Sequence, residues 1–585
     1  MTVFKDLSSF KHLSSRGLLC LGLGLAEVFA GMVGVRAEPA PIAQTAPPQP
    51  APANPNRNDF LQPAPAPTPR SPEEQAPVLP TPPPPTPPTL PSDETIQETI
   101  QILVEKIEVI DSSILTPADL APIVQPLQGR SLTLAQLRSV ADQITQLYLN
   151  RGYLTSRAIL VDQLVRDGVV QIRVIEGSLE RIDIDGANRT NPDYIRDRIN
   201  LGAGTPLNQA DLENQLRLLR LDPLFENVEA SLRAGTGLGQ SILSVRVTEA
   251  NPFSAQLSID NYSPPDVGSE RMGVYASYRN LTGWGDLMEA QIFRTTTGGS
   301  TQFDFSYRIP LNPMNGTLQL RVAPSDFEIT NPNVLIDITG NADLYEVSFR
   351  QPLRRSPREE LAVSVGFTYR QGSSFFNEIF PISASTTSVF KLGQDYIRRD
   401  TRGAWVLRSQ FSLGTELFAA TRGSEPNGQF ISWLGQVQRV QILNPRNLLI
   451  LQADVQLTPD PLPSSEQFLI GGGQSVRGFR QNARIGDNGI RLAVEDRITL
   501  VRNEAGSATV QVAPFADFGI VWNDADNPVQ EPDQNVLAGI GMGLLWTPFP
   551  QLSLRLDAAL PLVDLDNRGE NAQDQGFYFS VNYRF

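Results

Sequence analysis

Residues 471–489 read GGGQSVRGFRQNARIGDNG, a glycine-rich segment with guanidinium groups spaced along it. Arginine forks bind carboxylates or phosphates bidentately, so this segment could hold an anion or an acidic side chain. GGGQS lacks the Gly-Lys-Ser/Thr with which a phosphate loop reaches nucleotide phosphates. Gly539-Ile540-Gly541-Met542-Gly543 has the glycine content of a dinucleotide loop, but it lies inside a strand-like run, where small residues relieve crowding. Asp564-Leu565-Asp566-Asn567-Arg568-Gly569 has the outline of a calcium loop, but Arg568 and Gln575 stand at ligand positions. The only His is His12 and the only Cys is Cys20, both in an N-terminal segment that reads as an export signal. A processed chain would then have no imidazole or thiol, which excludes the usual zinc sites, Ser-His and Cys-His nucleophiles and disulfides. No carboxylate pair stands out for acid–base work. The reading is a non-enzyme with no cofactor, no metal and no catalytic residue.

A second candidate lies downstream, Phe515-Ala516-Asp517-Phe518-Gly519. With period-two alternation, Thr509, Gln511, Phe515 and Asp517 share one face, and Val510, Val512 and Phe518 share the other. Such a strand turns Asp517 toward a polar interior and its alternates toward an apolar medium.

The elements that must position these residues follow from the rest of the chain. Lys5, Lys11 and Arg16 precede an apolar run, and Val35-Arg36-Ala37 resembles a cleavage site, so 1–37 reads as a signal peptide. Residues 38–92 are a Pro/Ala-rich spacer that cannot bury apolar surface, expected to be disordered. No later segment has the ~18 consecutive apolar residues of a spanning helix. A formal charge of −15 argues against nucleic acid as a partner.

Two β-α-α-β-β units are expected at 100–177 and 178–250. ILVEKIEVI opens the first, with a helix over LTLAQLRSVADQITQLYLNRG, where Leu134, Leu137, Ile144, Leu147 and Tyr148 have helical spacing. From 251 to 585 the pattern changes to sixteen alternating segments, beginning near 253, 270, 286, 301, 315, 341, 359, 385, 403, 429, 446, 490, 507, 535, 551 and 576. An even number of ten-residue strands suits an outer-membrane barrel, because lipid offers the backbone no partners. Alternate connections are short (NLTGWGD, PLNPMNG, LRRSPR, RDTR, LNP, RNEAG, TPFP). Most of the others are longer, including SDFEITNPNVLIDITG (325–340) and QGSSFFNEIFPIS (371–383). Short periplasmic turns and long external loops have this asymmetry, which makes 471–489 part of the sixth external loop and leaves the α/β units periplasmic. The last strand carries Phe577, Phe579, Val581, Tyr583 and Phe585 on one face.

Several of these stretches carry a family resemblance. Arg151-Gly152-Tyr153-Leu154-Thr155-Ser156-Arg157 with Val169–Gly177, VVQIRVIEG, resembles the first polypeptide-transport-associated (POTRA) domain of two-partner secretion transporters, the hemolysin/haemagglutinin secretion-activation proteins. The second unit is similar to their second POTRA domain. Val476-Arg477-Gly478-Phe479 looks like the VRGF/VRGY signature in the sixth loop of the wider outer-membrane assembly/secretion superfamily, and Phe515, Asp517 and Gly519 match its F-x-D-x-G motif. The resemblance implies a mainly β fold, with two α+β POTRA domains before a 16-stranded antiparallel transmembrane barrel. It also implies an Arg477–Asp517 pair that pins an inward-folded loop, 471–489, to the barrel wall.

By the same resemblance the chain would move an unfolded partner exoprotein from periplasm to cell surface. The POTRA domains would capture it, with Tyr153, Thr155 and Arg157 of the first put forward as substrate-binding residues. Outer-membrane lipid and the barrel assembly machinery would be further partners, the latter recognising Tyr583 and Phe585 as an insertion signal. A barrel-insertion factor of the same superfamily, which commonly carries more POTRA domains, is the alternative reading. A passive porin fits less well, since it needs neither the POTRA units nor the VRGF loop.

Overall fold

The computed structural model describes residues 101–585 apart from 332–335, 377–379, 424–425, 530–533 and 566–567; the expected signal peptide and Pro/Ala spacer, with His12 and Cys20, lie outside the described residues.

In the first unit the strands are β1 (Gln101–Val104), β2 (Lys106–Ile110), β3 (Arg130–Thr133), β4 (Arg157–Leu160) and β5 (Val169–Ile175), with helices α1 (Pro117–Val124) and α2 (Leu134–Asn150). Helix α2 starts at a capping box: Thr133 Oγ1 accepts from the Gln136 amide, and Gln136 Oε1 accepts from that of Thr133. It then buries Leu137, Val140, Ala141, Ile144 and Tyr148, one stripe at helical spacing. The stretch read as one opening strand is two: β1 pairs with β3, while β2 runs parallel to β5 in the sheet β2-β5-β4. The break falls at Glu105, whose amide donates to Gly168 O at 2.8 Å.

In the second unit β6 (Ser178–Asp185), α3 (Pro192–Asn200), α4 (Gln209–Arg220), β7 (Phe225–Ala234) and β8 (Gln240–Glu249) form the sheet β6-β8-β7 under two helices. Asn191 and Asn208 cap the helices through their side-chain oxygens. Leu212, Leu216 and Leu219 of α4 join Val228, Leu243 and Val245 in a closed core.

Sixteen strands among the described residues then close into an antiparallel barrel. They are β9 (Phe253–Asp260), β10 (Arg271–Arg279), β11 (Leu287–Thr295), β12 (Ser300–Pro310), β13 (Thr317–Asn331), β14 (Ile336–Arg355), β15 (Glu359–Phe376), β16 (Phe380–Asp400), β17 (Gly403–Thr415), β18 (Phe430–Asn444), β19 (Asn447–Leu457), then, after a short hairpin of β20 (Phe468–Ile470) and β21 (Arg484–Gly486), β22 (Asn488–Arg502), β23 (Ala508–Trp522), β24 (Val536–Phe549), β25 (Leu552–Pro561) and β26 (Phe577–Arg584). Strand β26 pairs with β9, so the sheet has no free edge.

Strands β14 and β16 start five residues before the positions expected from sequence, 336 against 341 and 380 against 385. Much of 325–340 and 371–383, read as loops, continues the ladder instead: Ser325 pairs with Ala342, Phe327 with Gly340 and Ile329 with Ile338. Polar residues there mark strand that has left the apolar slab, where either face can meet water. On β24 the outward row Ile540, Met542, Leu544 and Trp546 is exposed, and the inward row is Gly539, Gly541 and Gly543. Among the described residues no helix is long and apolar enough to cross a membrane.

Candidate functional site: a loop folded against the inner wall

Between β20 and β21 the chain turns at Gly471 and Gly472 and runs across the inner faces of β22 to β26. The Arg477 Nε donates to Asp517 Oδ2 at 2.6 Å and Nη2 to Oδ1 at 2.9 Å. The Arg477 amide adds a third bond to Oδ2 at 3.1 Å. Nη1 donates to Glu495 Oε2 at 2.9 Å, and the guanidinium carbon lies 3.3 Å from the centroid of the Phe515 ring. The fork is thus held along its edge by carboxylates and on one face by an aromatic ring.

The surrounding charges balance. Arg555 Nη2 also donates to Glu495 Oε2 at 2.6 Å, and its Nε to Asp557 Oδ2 at 2.7 Å. Arg497 Nε donates to Glu495 Oε1 at 2.7 Å. Three arginines and three carboxylates from the loop, β22, β23 and β25 therefore form one neutral network; Arg477, Glu495, Asp517 and Asp557 in it are buried. A buried charge survives only with such pairing.

Apolar contacts hold the neighbouring loop residues. Val476 and Phe479 are buried in a cluster with Phe468, Ile470, Val521 and Leu537. Gly519 lies beneath them: a Cβ there would sit 2.9 Å from Val476 Cγ2. Gly478 has φ +105°, the left-handed region that glycine supplies, and its amide donates to Tyr578 Oη at 2.8 Å. The Tyr578 hydroxyl in turn donates to Phe479 O at 2.6 Å. The glycine row of β24 is the floor for this arrangement. A Cβ on Gly539 would meet Arg477 O at 2.0 Å, one on Gly541 the Phe515 ring at 2.4 Å, and one on Gly543 Asp557 Oδ1 at 2.5 Å.

Further out, Arg480 forms a fork to Asp574, both bonds 2.8 Å. Asp487 is fully buried and accepts from the Leu462 amide, Gln467 Nε2, the Asp524 amide and Asn527 Nδ2, joining three external segments.

The structure brings Val476, Arg477, Gly478, Phe479, Phe515, Asp517 and Gly519 into one contiguous site. Sequence reasoning left out Tyr578, Arg555 and Asp557. A weak signal existed for each: Tyr578 is the polar alternate in a strand with an aromatic outer row, and Arg555 and Asp557 alternate with Leu554 and Leu556. The residues of the first unit are spread differently. Tyr153 packs edge-on to Tyr148 with ring centroids 5.9 Å apart, and Thr155 lies against Gly177. Arg157 is the one of the three that is exposed. Tyr583 and Phe585 face outward, their rings 4.9 Å apart.

Comparison with known proteins places this geometry. Residues 239–545, more than half of the chain, match the haemolysin secretion/activation protein family ShlB/FhaC/HecB, and residues 102–177 match the ShlB-type POTRA domain. The chain belongs to the haemolysin secretion/activation family. It is a two-partner secretion transporter of the outer membrane that acts with a secreted exoprotein, with its POTRA region on the periplasmic side.

Relatives include the outer membrane transporter CdiB of Escherichia coli O6:K15:H31, 27% identical over 475 residues and 79% of each chain. The heme/hemopexin transporter protein HuxB of Haemophilus influenzae strain 86-028NP is 22% identical over 79% of this chain and 83% of that protein. The solved structure of CdiB from Escherichia coli shares the fold, with a TM-score of 0.67 at 24% identity over 87% of this chain and 94% of that one.

Proposed function

We propose that the 471–489 loop is a pinned gate for the exported polypeptide, held closed by Arg477 against Asp517 and Glu495. An extended, unfolded exoprotein docks by strand addition to sheet edges of the POTRA units, β2 or β4 in the first and β6 or β7 in the second. It then enters the barrel as the loop shifts along the inner wall. No catalytic step is needed, because folding of the cargo outside the cell and capture of emerging chain supply the direction. Lipid meets the outward apolar rows, and the barrel assembly machinery engages β26 through its outward Phe577, Tyr583 and Phe585.

The observation that carries the reading is the buried fork of Arg477 on Asp517, inside a barrel whose periplasmic end adjoins the POTRA units. Its test is deletion of the gene, followed by profiling of secreted proteins and outer-membrane barrels. Loss of one large exoprotein with normal barrels supports it; general depletion of barrels overturns it.

A further inference from the structure

The turns along one arc of the periplasmic rim are rich in arginine. In 353–359, 398–402, 443–447 and 502–507, eight arginines stand against three carboxylates, in a chain whose formal charge is −15. The remaining turns, 280–286, 311–316 and 547–551, have no basic residue. Two of these bare turns are covered by the second α/β unit, through Asn280 Nδ2 on Thr190 Oγ1 at 2.8 Å and Arg198 Nη2 on Asn315 Oδ1 at 3.3 Å. The cover reaches the near end of the arc, where Arg355, Pro357 and Arg399 line one cleft with Tyr194, Leu221 and Asp222 of the second unit; Arg354, Arg358, Arg398, Arg402 and Arg446 are not part of that lining.

The arc is continuous because adjacent turns are bonded side by side. Arg399 N donates to Arg358 O at 2.7 Å, Ile442 N to Arg402 O at 2.7 Å, and Thr499 N to Arg446 O at 2.8 Å. Arg354, Arg358, Arg398, Arg402 and Arg446 are exposed and belong to no ion pair among the described residues.

The two that lie on strands, Arg398 and Arg354, stand in outward rows. Arg398 follows Phe390 and Leu392, both exposed, at even spacing on β16. Arg354 is the register partner of Leu361, in the row of outward Val363 and Val365. Arg439 stands opposite Trp405, 5.0 Å above its ring, and Trp405 is 41% exposed. Leu353 and Leu443, the apolar residues beside the basic ones, are 55% and 54% exposed. An aromatic and apolar edge with unpaired guanidiniums just below it is the composition of a lipid headgroup boundary. An acidic segment of exported chain would instead meet the inward row, where Arg355 and Arg350 already bind Glu360.

We propose that this arc binds anionic phospholipid headgroups of the periplasmic leaflet and so fixes the depth and tilt of the barrel on that side. The inference rests on the outer-membrane placement and not on the gating reading. The test uses the full-length protein in nanodiscs of equal parts phosphatidylglycerol and phosphatidylethanolamine, extracted gently and weighed by native mass spectrometry. The parent should retain phosphatidylglycerol in preference. The variant Arg354→Gln/Arg398→Gln/Arg402→Gln/Arg446→Gln should lose the preference by roughly fivefold or more, with heat-modifiable migration on gels showing a folded barrel. If the variant does not fold, the parent's ratio between the two lipids decides alone. Equal retention of both lipids by the parent, or equal preference in parent and folded variant, overturns the proposal. Loss of exoprotein secretion with unchanged lipid preference also overturns it, by assigning the arc to an acidic polypeptide.

Discussion

The carbonyl oxygen of Arg477 rests on Gly539, at a spot where a side-chain carbon on that glycine would stand 2.0 Å away. The loop therefore approaches the barrel wall through backbone on both sides, and Gly539 can acquire no side chain without lifting Arg477 from Asp517. Gly539→Val should cost about 1–3 kcal/mol of loop docking by overpacking. The barrel should still fold, with more frequent openings in planar-bilayer recordings. A variant as quiet as the parent would show that the loop does not depend on this contact.

Tyr578 gives the loop one hydrogen bond and receives one, from Gly478 N to its hydroxyl and from the hydroxyl to Phe479 O. Tyr578→Phe leaves a buried amide without an acceptor, a loss of about 1–3 kcal/mol. The expected outcome is faster proteolysis within 471–489 in the folded barrel, with the POTRA region unaffected.

Asp487 accepts four donors from two external segments, the one before β20 and the one after β23. Asp487→Ala should strand those donors and loosen the outer end of the loop, while the Arg477 end stays in place. Hydrogen exchange should rise at Leu462 and Asp524 and remain low at Arg477. Uniform exchange across the loop would mean that its two ends are a single cooperative unit.

Outside the membrane, Tyr148 offers a pH test. Burial first, and then the hydrogen bond to Glu176, push its hydroxyl up to about 12 from an ordinary 10. Because the folded value is the higher one, its contribution is complete below pH 10 and is lost as pH rises toward 12. The stability of the first unit should fall across that window, and Tyr148→Phe should flatten the fall. An unchanged slope in the variant would remove Tyr148 from the account.

Much of this architecture was legible in the residues because a membrane barrel leaves few options. Period-two alternation and alternating connection lengths placed sixteen strands, most of them starting within two residues of the positions seen. The extensions of β14 and β16 were not legible, because strand outside the slab needs no apolar row. Similarly, local pattern cannot show that Glu105 divides one apolar run between two sheets, since the cause is the distant Gly168 carbonyl. Within the site, motif residues on the loop and β23 were visible. Arg555, Asp557 and Tyr578 were not, because their partners lie on other strands and only barrel closure brings them together.

The central claim is that Arg477 and Asp517 act as one unit that holds the loop. A double-mutant cycle of Arg477→Ala and Asp517→Ala, read by single-channel conductance and by exoprotein secretion, tests it most directly. Removing one partner of a buried pair costs about 3–5 kcal/mol, so each single variant should open more often and secrete less. The double variant should be no worse than either single one, because the second substitution removes a charge already left unpaired. Singles that match the parent in both assays, or effects that add in full, would contradict the account.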